Sequence, residues 1–550
     1  MKRRLVAGAV TTVTGLAFLT TIPGSATAAP TVTRDYTVVA ADGVSAADAA
    51  AAIQAAGGTI VSRNDAVGVY RVSSADAAFG SRATATAALI GATERKAIGQ
   101  APNKVERAEK GLRTRGGKGH GPAKADPLDA ELWGLTMVKA DKARKIEKGD
   151  REVTVGVLDT GLDAANPDLK PNFSTKLSRN FAPDIVDIDG ACEVAGCLDP
   201  VGTDDGGHGT HVAGTIGAAL NGSGLSGVAP GVTLVELKGG QDSGYFFLDP
   251  VVNALTYAGD VGLDVVNMSF YVDPWLYNCT ANPADSPADQ AAQQAIITAV
   301  KRALNYAHAR GVTLVGSLGN NHEDLGKPRT DVSSPDYGGT PYPRPIDNRT
   351  CWDLPVEGPH VIGVSAVGPT GRKADYSNYG TEQISVAGPG GWFRDGFGTD
   401  TYRTNGNMIL SSYPLKVLQE EGLVDAAGEI TADGEGLVLK DCTKAGACGY
   451  YTYLQGTSMA SPHVSGVSAL IVSRYGTRDF WRGGKTLSPN VVENILYRSA
   501  AEHACPEPRL ETYADEGRPA EFDALCEGGE NFNGFYGYGI VDAYAAVGGR

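Results

Sequence analysis

The 550-residue chain predicts an α/β fold, a doubly wound and mostly parallel sheet, preceded by a small α+β unit. Beyond Asp126, short apolar runs (Val153–Leu158, Val232–Leu237, Val265–Met268, Val312–Gly316 and Val361–Val367) alternate with helical stretches near 208–219, 247–258, 290–309 and 459–474. Runs that are apolar throughout, rather than at every second residue, belong to strands covered on both faces, and their alternation with helices supplies the cover. The length exceeds what a single core usually supports, so more than one folding unit is expected. No repeat of solenoid length interrupts this pattern.

The chain opens on Lys2-Arg3-Arg4, an apolar run from Leu5 to Leu19, and Ala26-Thr27-Ala28. Charged, apolar and small residues in that order predict an export signal, residues 1–28, cleaved near Ala28. About fifteen apolar residues fall short of the ~20 that span a bilayer, so no membrane segment is expected in the mature form. Residues 29–125 then divide in two. A strand Tyr36–Ala40, an Ala-rich helix Ser45–Ala56, strands Thr59–Val61 and Val67–Val72, and a helical stretch from Ser74 make the α+β unit. The stretch Lys104 to Lys124, with Arg113-Thr-Arg-Gly-Gly-Lys-Gly-His-Gly inside it, cannot pack a core and reads as an exposed, cleavable linker. Residues 126–550 form the main unit, interrupted near 273–290 by a Pro- and Asp-rich loop and at 391–450 by a long insertion.

Charge separates the two parts. Residues 1–125 carry 16 Lys+Arg against 8 Asp+Glu, so the remainder holds −23 of a net charge of −15. An acidic body excludes a nucleic-acid partner, which is held through phosphate neutralisation by Lys and Arg. Eight cysteines, an even number, fit an oxidising compartment. Cys192/Cys197, Cys442/Cys448 and Cys505/Cys526 are close in sequence and Cys279/Cys351 are left over; neighbour pairing is the expectation among about 105 connectivities. None has the spacing of a zinc site.

Three segments carry chemistry. Val153-Thr-Val-Gly-Val-Leu-Asp159-Thr-Gly delivers a carboxylate to the end of a buried-type strand, where α/β sheets place their sites, although strand-terminal Asp is also a common turn former. In Asp204-Asp-Gly-Gly-His208-Gly-Thr-His211 glycines bring backbone close to an imidazole at a helix start. A histidine there takes a proton from a hydroxyl when a carboxylate holds its other nitrogen. The alternatives are a core histidine or a metal pair His208/His211, for a metal-dependent hydrolase, but HxxH lacks the i,i+4 spacing and the acid of HExxH. Gly456-Thr-Ser458-Met-Ala-Ser-Pro462-His463 leads into a long apolar helix. Its serine is either a helix cap or a nucleophile whose oxyanion the helix start stabilises.

Together, Asp159-Thr-Gly, His208-Gly-Thr-His-Val-Ala-Gly and Gly-Thr-Ser458-Met-Ala-Ser-Pro-His resemble the three signature blocks of the subtilisin-like serine peptidases, in that family's Asp, His, Ser order. Similarity extends through most of residues 130–550, including Asn166-Pro-Asp168-Leu, Asn267-Met-Ser269, Ala374-Asp-Tyr-Ser-Asn-Tyr-Gly380 and Gly537-Tyr-Gly-Ile-Val-Asp. The resemblance implies a subtilisin-like fold and a secreted, extracellular serine endopeptidase acting on protein or peptide substrates through an acyl-enzyme. Ser458 would be the nucleophile, His208 the base, Asp159 its orienting carboxylate and Asn320 the oxyanion donor beside the Ser458 N–H. Substrate would pair along Asp242–Gly244 and Ser269–Tyr271, giving Gly244, Ser269, Phe270 and Tyr271 as binding residues. Residues 30–110 more loosely resemble the family's βαββαβ propeptide, an intramolecular inhibitor whose basic charge suits the acidic body. No cofactor is required; calcium is a candidate structural ion, with Asp168 matching a family ligand and the loop Leu220–Gly227 about one residue short.

The departures matter for specificity. Phe270 and Tyr271 stand where the family usually has a small pair, and Leu318 replaces a small residue, so the side-chain pocket should be narrowed toward small or slender groups. The competing reading is a catalytically silent binding protein on the same fold, which fluorophosphonate labelling distinguishes from an enzyme.

Overall fold

A computed structural model describes residues 33–94, 106–107 and 125–550, apart from Pro328, 337–340 and 481–482. The expected export signal and most of the expected linker 104–124 lie outside the described residues. The N-terminal unit runs β1 Arg34–Ala40, α1 Ala46–Ala55, β2 Thr59–Asn64, β3 Val69–Ser74, α2 Phe79–Thr84 and β4 Leu89–Glu94. Its strands form an antiparallel sheet in the order β2-β3-β1-β4. Ser45 begins α1 by accepting the Asp48 N–H, as an N-cap does. Tyr36, Val38, Ile53, Val72 and Phe79 close a small core between the helices and one sheet face.

The main unit contains β5 Thr154–Asp159, β6 Arg179–Asn180, α3 His208–Gly217, β7 Thr233–Lys238, α4 Leu248–Val261, β8 Val265–Met268, α5 Pro287–Ala309, β9 Thr313–Ser317, β10 Val361–Val367, β11 Val386–Pro389, β12 Ile409–Tyr413, β13 Val438–Cys442, β14 Cys448–Gln455 and α6 Thr457–Tyr475. Seven of these strands make one parallel sheet, ordered β11-β10-β9-β8-β5-β7-β6. Consecutive residues face opposite cores. Val157, Leu234, Val265 and Val315 join the cluster under α3 and α6, while Leu158, Val235, Val266 and Leu314 join the one under α4 and α5. That two-sided burial is why these strands are apolar at every position. Helix α6 is buried from Thr457 to Ser473 and shows no apolar stripe, as a helix enclosed on all sides should not.

One sequence expectation needs correction in detail. The segment 273–290 is not loop to its end, because Ser286 caps Asp289 N at 3.1 Å and Pro287 starts α5. Ser followed by Pro at the first helical position is a helix start that the high Pro and Asp content masks. Within and just after the stretch 391–450, β12, β14 and β13 form an antiparallel sheet that packs on α3, with Ser411 Oγ donating to His211 O at 2.7 Å.

The N-terminal unit docks on α4 and α5. Val39, Val67 and Val69 enter the cluster those helices build, Arg302 donates to Ala40 O and Val67 O at 3.0 Å, and Asn64 Nδ2 donates to Thr256 Oγ1 at 2.7 Å. No described helix is long and apolar enough to cross a membrane.

All eight cysteines pair with the expected neighbours: Cys192–Cys197, Cys279–Cys351, Cys442–Cys448 and Cys505–Cys526. Cys279–Cys351 spans 72 residues, beside a buried Arg344 that binds Asp285 and Asp331. Closing a loop of that length restricts the unfolded chain by about 4 kcal/mol. Replacing both cysteines by serine is expected to lower the unfolding free energy by about that amount in chemical denaturation. A loss under ~1 kcal/mol would mean that the Arg344 network holds the segment by itself.

Candidate active site

Asp159 ends β5 at the carboxyl edge of the sheet and is 0% exposed. Its Oδ1 accepts the Thr160 N–H at 2.8 Å and lies 2.7 Å from His208 Nδ1. His208 is the first residue of α3, and Asp204 holds that helix start in place. Asp204 Oδ1 accepts from Gly207 N at 2.8 Å and from Thr160 Oγ1 at 2.9 Å, while Oδ2 accepts from Thr210 N at 2.9 Å. Gly209 is required for the close approach: a Cβ there would lie 2.1 Å from Gly161 O. Burial opposes a charged imidazole at His208, but the Asp159 carboxylate outweighs it through charge and hydrogen bond, with Asp204 adding, so its pKa sits above the ordinary value.

Ser458 is the second residue of α6 and nearly buried. Its Oγ donates to Ser269 O at 3.2 Å. Four residues on, Pro462 has no N–H to give the Ser458 carbonyl. That carbonyl instead accepts Ser269 Oγ at 3.2 Å, and Ser269 Oγ also meets Ser461 Oγ and Asn267 Nδ2, each at 2.8 Å. The start of α6 is therefore bolted to the end of β8 by a buried polar network.

Asn320 follows β9. Its Oδ1 accepts both the Thr457 N–H and the Thr457 hydroxyl at 2.9 Å, and the same hydroxyl accepts Gly319 N at 3.1 Å. With its oxygen engaged, the amide nitrogen is the group left to face the cleft. Asn378 clamps the loop from behind, accepting Asn321 N at 3.0 Å and donating to Leu318 O at 2.8 Å. Thr457 and Asp204 lie inside the motifs read from the sequence, but their partners are distant in the chain, so only the fold exposes their positioning roles.

One cleft of about 740 Å³ gathers His208, Ser458, Asn320, Ser269, Phe270 and Tyr271. Phe270 stacks on Phe246 with centroids 4.0 Å apart, and Tyr271 Oη donates to Asp336 Oδ2 at 3.2 Å. Gly244 also lines the cleft, but in a tight turn: its N–H is bonded to Gln241 O at 2.9 Å. Asp273 and Asp353, which no sequence pattern singled out, also line the cleft. His211 does not face the cleft; its Nε2 lies 3.0 Å from Ile409 O, so it does not form a metal pair with His208.

Asp168 is held by protein donors. Asn221 Nδ2 reaches Oδ1 at 3.1 Å, and Leu225 N and Tyr451 Oη reach Oδ2 at 2.9 and 2.8 Å. Calcium needs six to eight oxygen ligands, and a carboxylate surrounded by N–H and O–H groups does not fit that set. Acidic groups with ligand spacing are found instead at Asp184, Glu193 and Asp242 and at Asp199, Asp205 and Asp242, where Lys238 already pairs with Asp242 and Asp199.

A buried carboxylate–imidazole pair and a serine at a helix start, sharing one cleft at the carboxyl edge of a parallel sheet, are the equipment of a serine hydrolase. The chain belongs to the subtilase family, whose model matches residues 150–539, and it is a serine-type protease. Subtilisin DY of Bacillus licheniformis is 30% identical over 368 residues, 67% of this chain and 90% of its own length. Fervidolysin of Fervidobacterium pennivorans is 30% identical over 374 residues, 66% of this chain but 40% of its own length. Among solved structures, the epidermin leader peptide processing serine protease of Staphylococcus aureus aligns with a TM-score of 0.60 at 20% identity, covering 94% of this chain and 98% of that one.

The Thr457–Asn320 contact predicts graded kinetic losses. Asn320→Ala should lower kcat by about 10²–10³ with little change in KM. Thr457→Val, which removes one of two donors to the Asn320 oxygen, should lower kcat about tenfold. Steady-state kinetics on a peptide substrate measure both; an effect confined to KM would make Asn320 a substrate-positioning residue.

Proposed function

We propose that this chain is an exported endopeptidase that cleaves peptide bonds through a Ser458–His208–Asp159 triad and an acyl-enzyme. The observation that carries the reading is the 2.7 Å contact between buried Asp159 and His208 Nδ1 in the cleft that Ser458 lines. With Nδ1 held, the Nε2 lone pair is the basic site. Ser458 Oγ turns from Ser269 O to His208, gives up its proton to Nε2 and bonds to the substrate carbonyl carbon. The oxyanion takes hydrogen bonds from Asn320 Nδ2 and the Ser458 N–H at the start of α6. Collapse breaks the C–N bond, and His208 returns the proton to the departing amine. Water then repeats the sequence against the ester, with His208 as base, and releases the acid and Ser458.

Residues 29–125 act in this reading as a propeptide. Support comes from the docking of the β1–β4 unit on α4 and α5, and from Glu106–Arg107, which pairs antiparallel with Leu454–Gln455 immediately before Gly456. Leu454 lines the cleft, so chain leaving the N-terminal unit runs beside the site it would block. Four disulfides and the N-terminal signal pattern support export to an oxidising compartment.

Ser458→Ala should lower kcat by roughly 10⁶ without loss of fold, since one oxygen is removed. Retention of more than a few per cent of turnover by purified variant would overturn the triad. A second expectation concerns pH. Because the Asp159 charge favours the imidazolium, His208 protonates, and stops acting as a base, at a pH above its ordinary 6.5. The acid limb of kcat/KM is expected above that value, and Asp159→Asn should move it to lower pH. A limb unmoved by Asp159→Asn would assign it to another group.

A further inference from the structure

The cleft has an uneven charge. Its described lining residues include six carboxylic acids (Asp205, Asp242, Asp273, Asp353, Glu420 and Glu421) and no lysine or arginine. At one end the acids are partnered: Lys416 Nζ lies 2.6 Å from Asp205 Oδ1, and Lys238 pairs with Asp242. Asp273 and Asp353 have no such partner in the lining. Both are 3% exposed, and Asp273 faces the Asp336 carboxyl, with which it shares a hydrogen bond.

These two acids stand beside the reactive groups. Asp273 follows the wall Ser269–Tyr271 by two residues and fixes Phe246 N at 2.6 Å through Oδ2. Asp353 is held by its own segment and by the chain next to Asp273. Its N–H donates to Glu357 Oε2 at 2.5 Å, its O accepts Glu357 N at 2.8 Å, and the next carbonyl, Leu354 O, accepts Val272 N at 2.8 Å. A Cβ on Gly319 would lie 3.5 Å from Asp353 Oδ2, so this carboxyl abuts the residue that precedes Asn320.

We propose that the pocket between Ser269–Tyr271 and Gly319–Asn320 takes the side chain on the acyl side of the scissile bond, and that Asp353, with Asp273 in the same cleft, selects a lysine or arginine there. This rests on the triad reading above. A buried carboxyl lacking a counterion is costly, and a cationic side chain entering the pocket removes that cost, whereas an apolar one does not. Burial, then the charge of Glu357, pushes the Asp353 carboxyl well above its usual range, and burial with Asp336 does the same to Asp273. Arg329 lowers Asp353, and Asp331 raises it further; Arg329 is itself stacked over Tyr277 at 4.4 Å and lies 3.5 Å from Glu323. Tyr271 and Tyr245 are the titratable phenols near Asp273 and Asp336. Tyr271 limits the girth of the pocket, and a long, slender cation satisfies both its shape and its charge.

The test is a comparison of kcat/KM for peptides that differ only in having Arg, Lys, Leu, Phe or Ala at P1, using the protein as purified from an exporting host. The wild type should favour Arg and Lys over the neutral residues by on the order of 100-fold, and Asp353→Asn should erase that preference by lowering the cationic substrates while leaving Leu unchanged or raised. A wild type that favours neutral P1, or a variant that loses all substrates equally while folded, overturns the proposal. Fluorophosphonate labelling separates the two levels of failure. Labelled protein with neutral preference removes this inference alone, and wild type that does not label removes the triad reading with it. Should Asp353→Asn not fold, the wild-type profile decides.

Discussion

The site depends on a helix that is buried on every side and fastened at one end. Helix α6 runs through the main core, and its first turn is joined to the end of β8 because Pro462 leaves the Ser458 carbonyl free for Ser269 Oγ. A buried carbonyl without a partner would cost free energy, so the missing helical bond and the serine contact are two parts of one solution. The consequence is positional. Ser458 cannot shift along the helix axis without breaking the Ser269–Ser461–Asn267 network, and the Thr457 side chain next to it sets the orientation of Asn320.

The second element is the meeting of β5 and α3. A carboxylate at the end of an enclosed strand and an imidazole at a helix start come within 2.7 Å only because Gly209 lets backbone pass backbone and Asp204 gathers the free N–H groups of the first turn. Neither half has an unusual local structure. Their combination makes the low-dielectric surroundings in which the Asp159 charge outweighs the cost of burying an imidazolium.

Charge operates at a larger scale too. The cleft carries the same sign as the acidic body, with carboxyls paired to lysines at one end and not at the other. Repulsion among copies of an acidic protein favours solubility.

Sequence by itself indicated five strands of the main sheet, the principal helices and the three signature segments with Asn320, because these are written in local pattern: runs apolar at every position, and Gly and Ser at helix starts; Cys279 and Cys351, 72 residues apart, were paired only as the two left over. It misread 287–290, where a capped helix start hides in Pro- and Asp-rich sequence, and it left the strands within 391–450 unassigned. Tertiary structure alone decided which side chains meet. Thr457 with Asn320, Ser269 with the Ser458 carbonyl, the donors that enclose Asp168, and the burial of Asp353 beside Gly319 are all long-range contacts. Local periodicity records whether a residue is covered, but the identity and charge of its cover come from segments up to hundreds of residues away, brought together only when the sheet and α6 close.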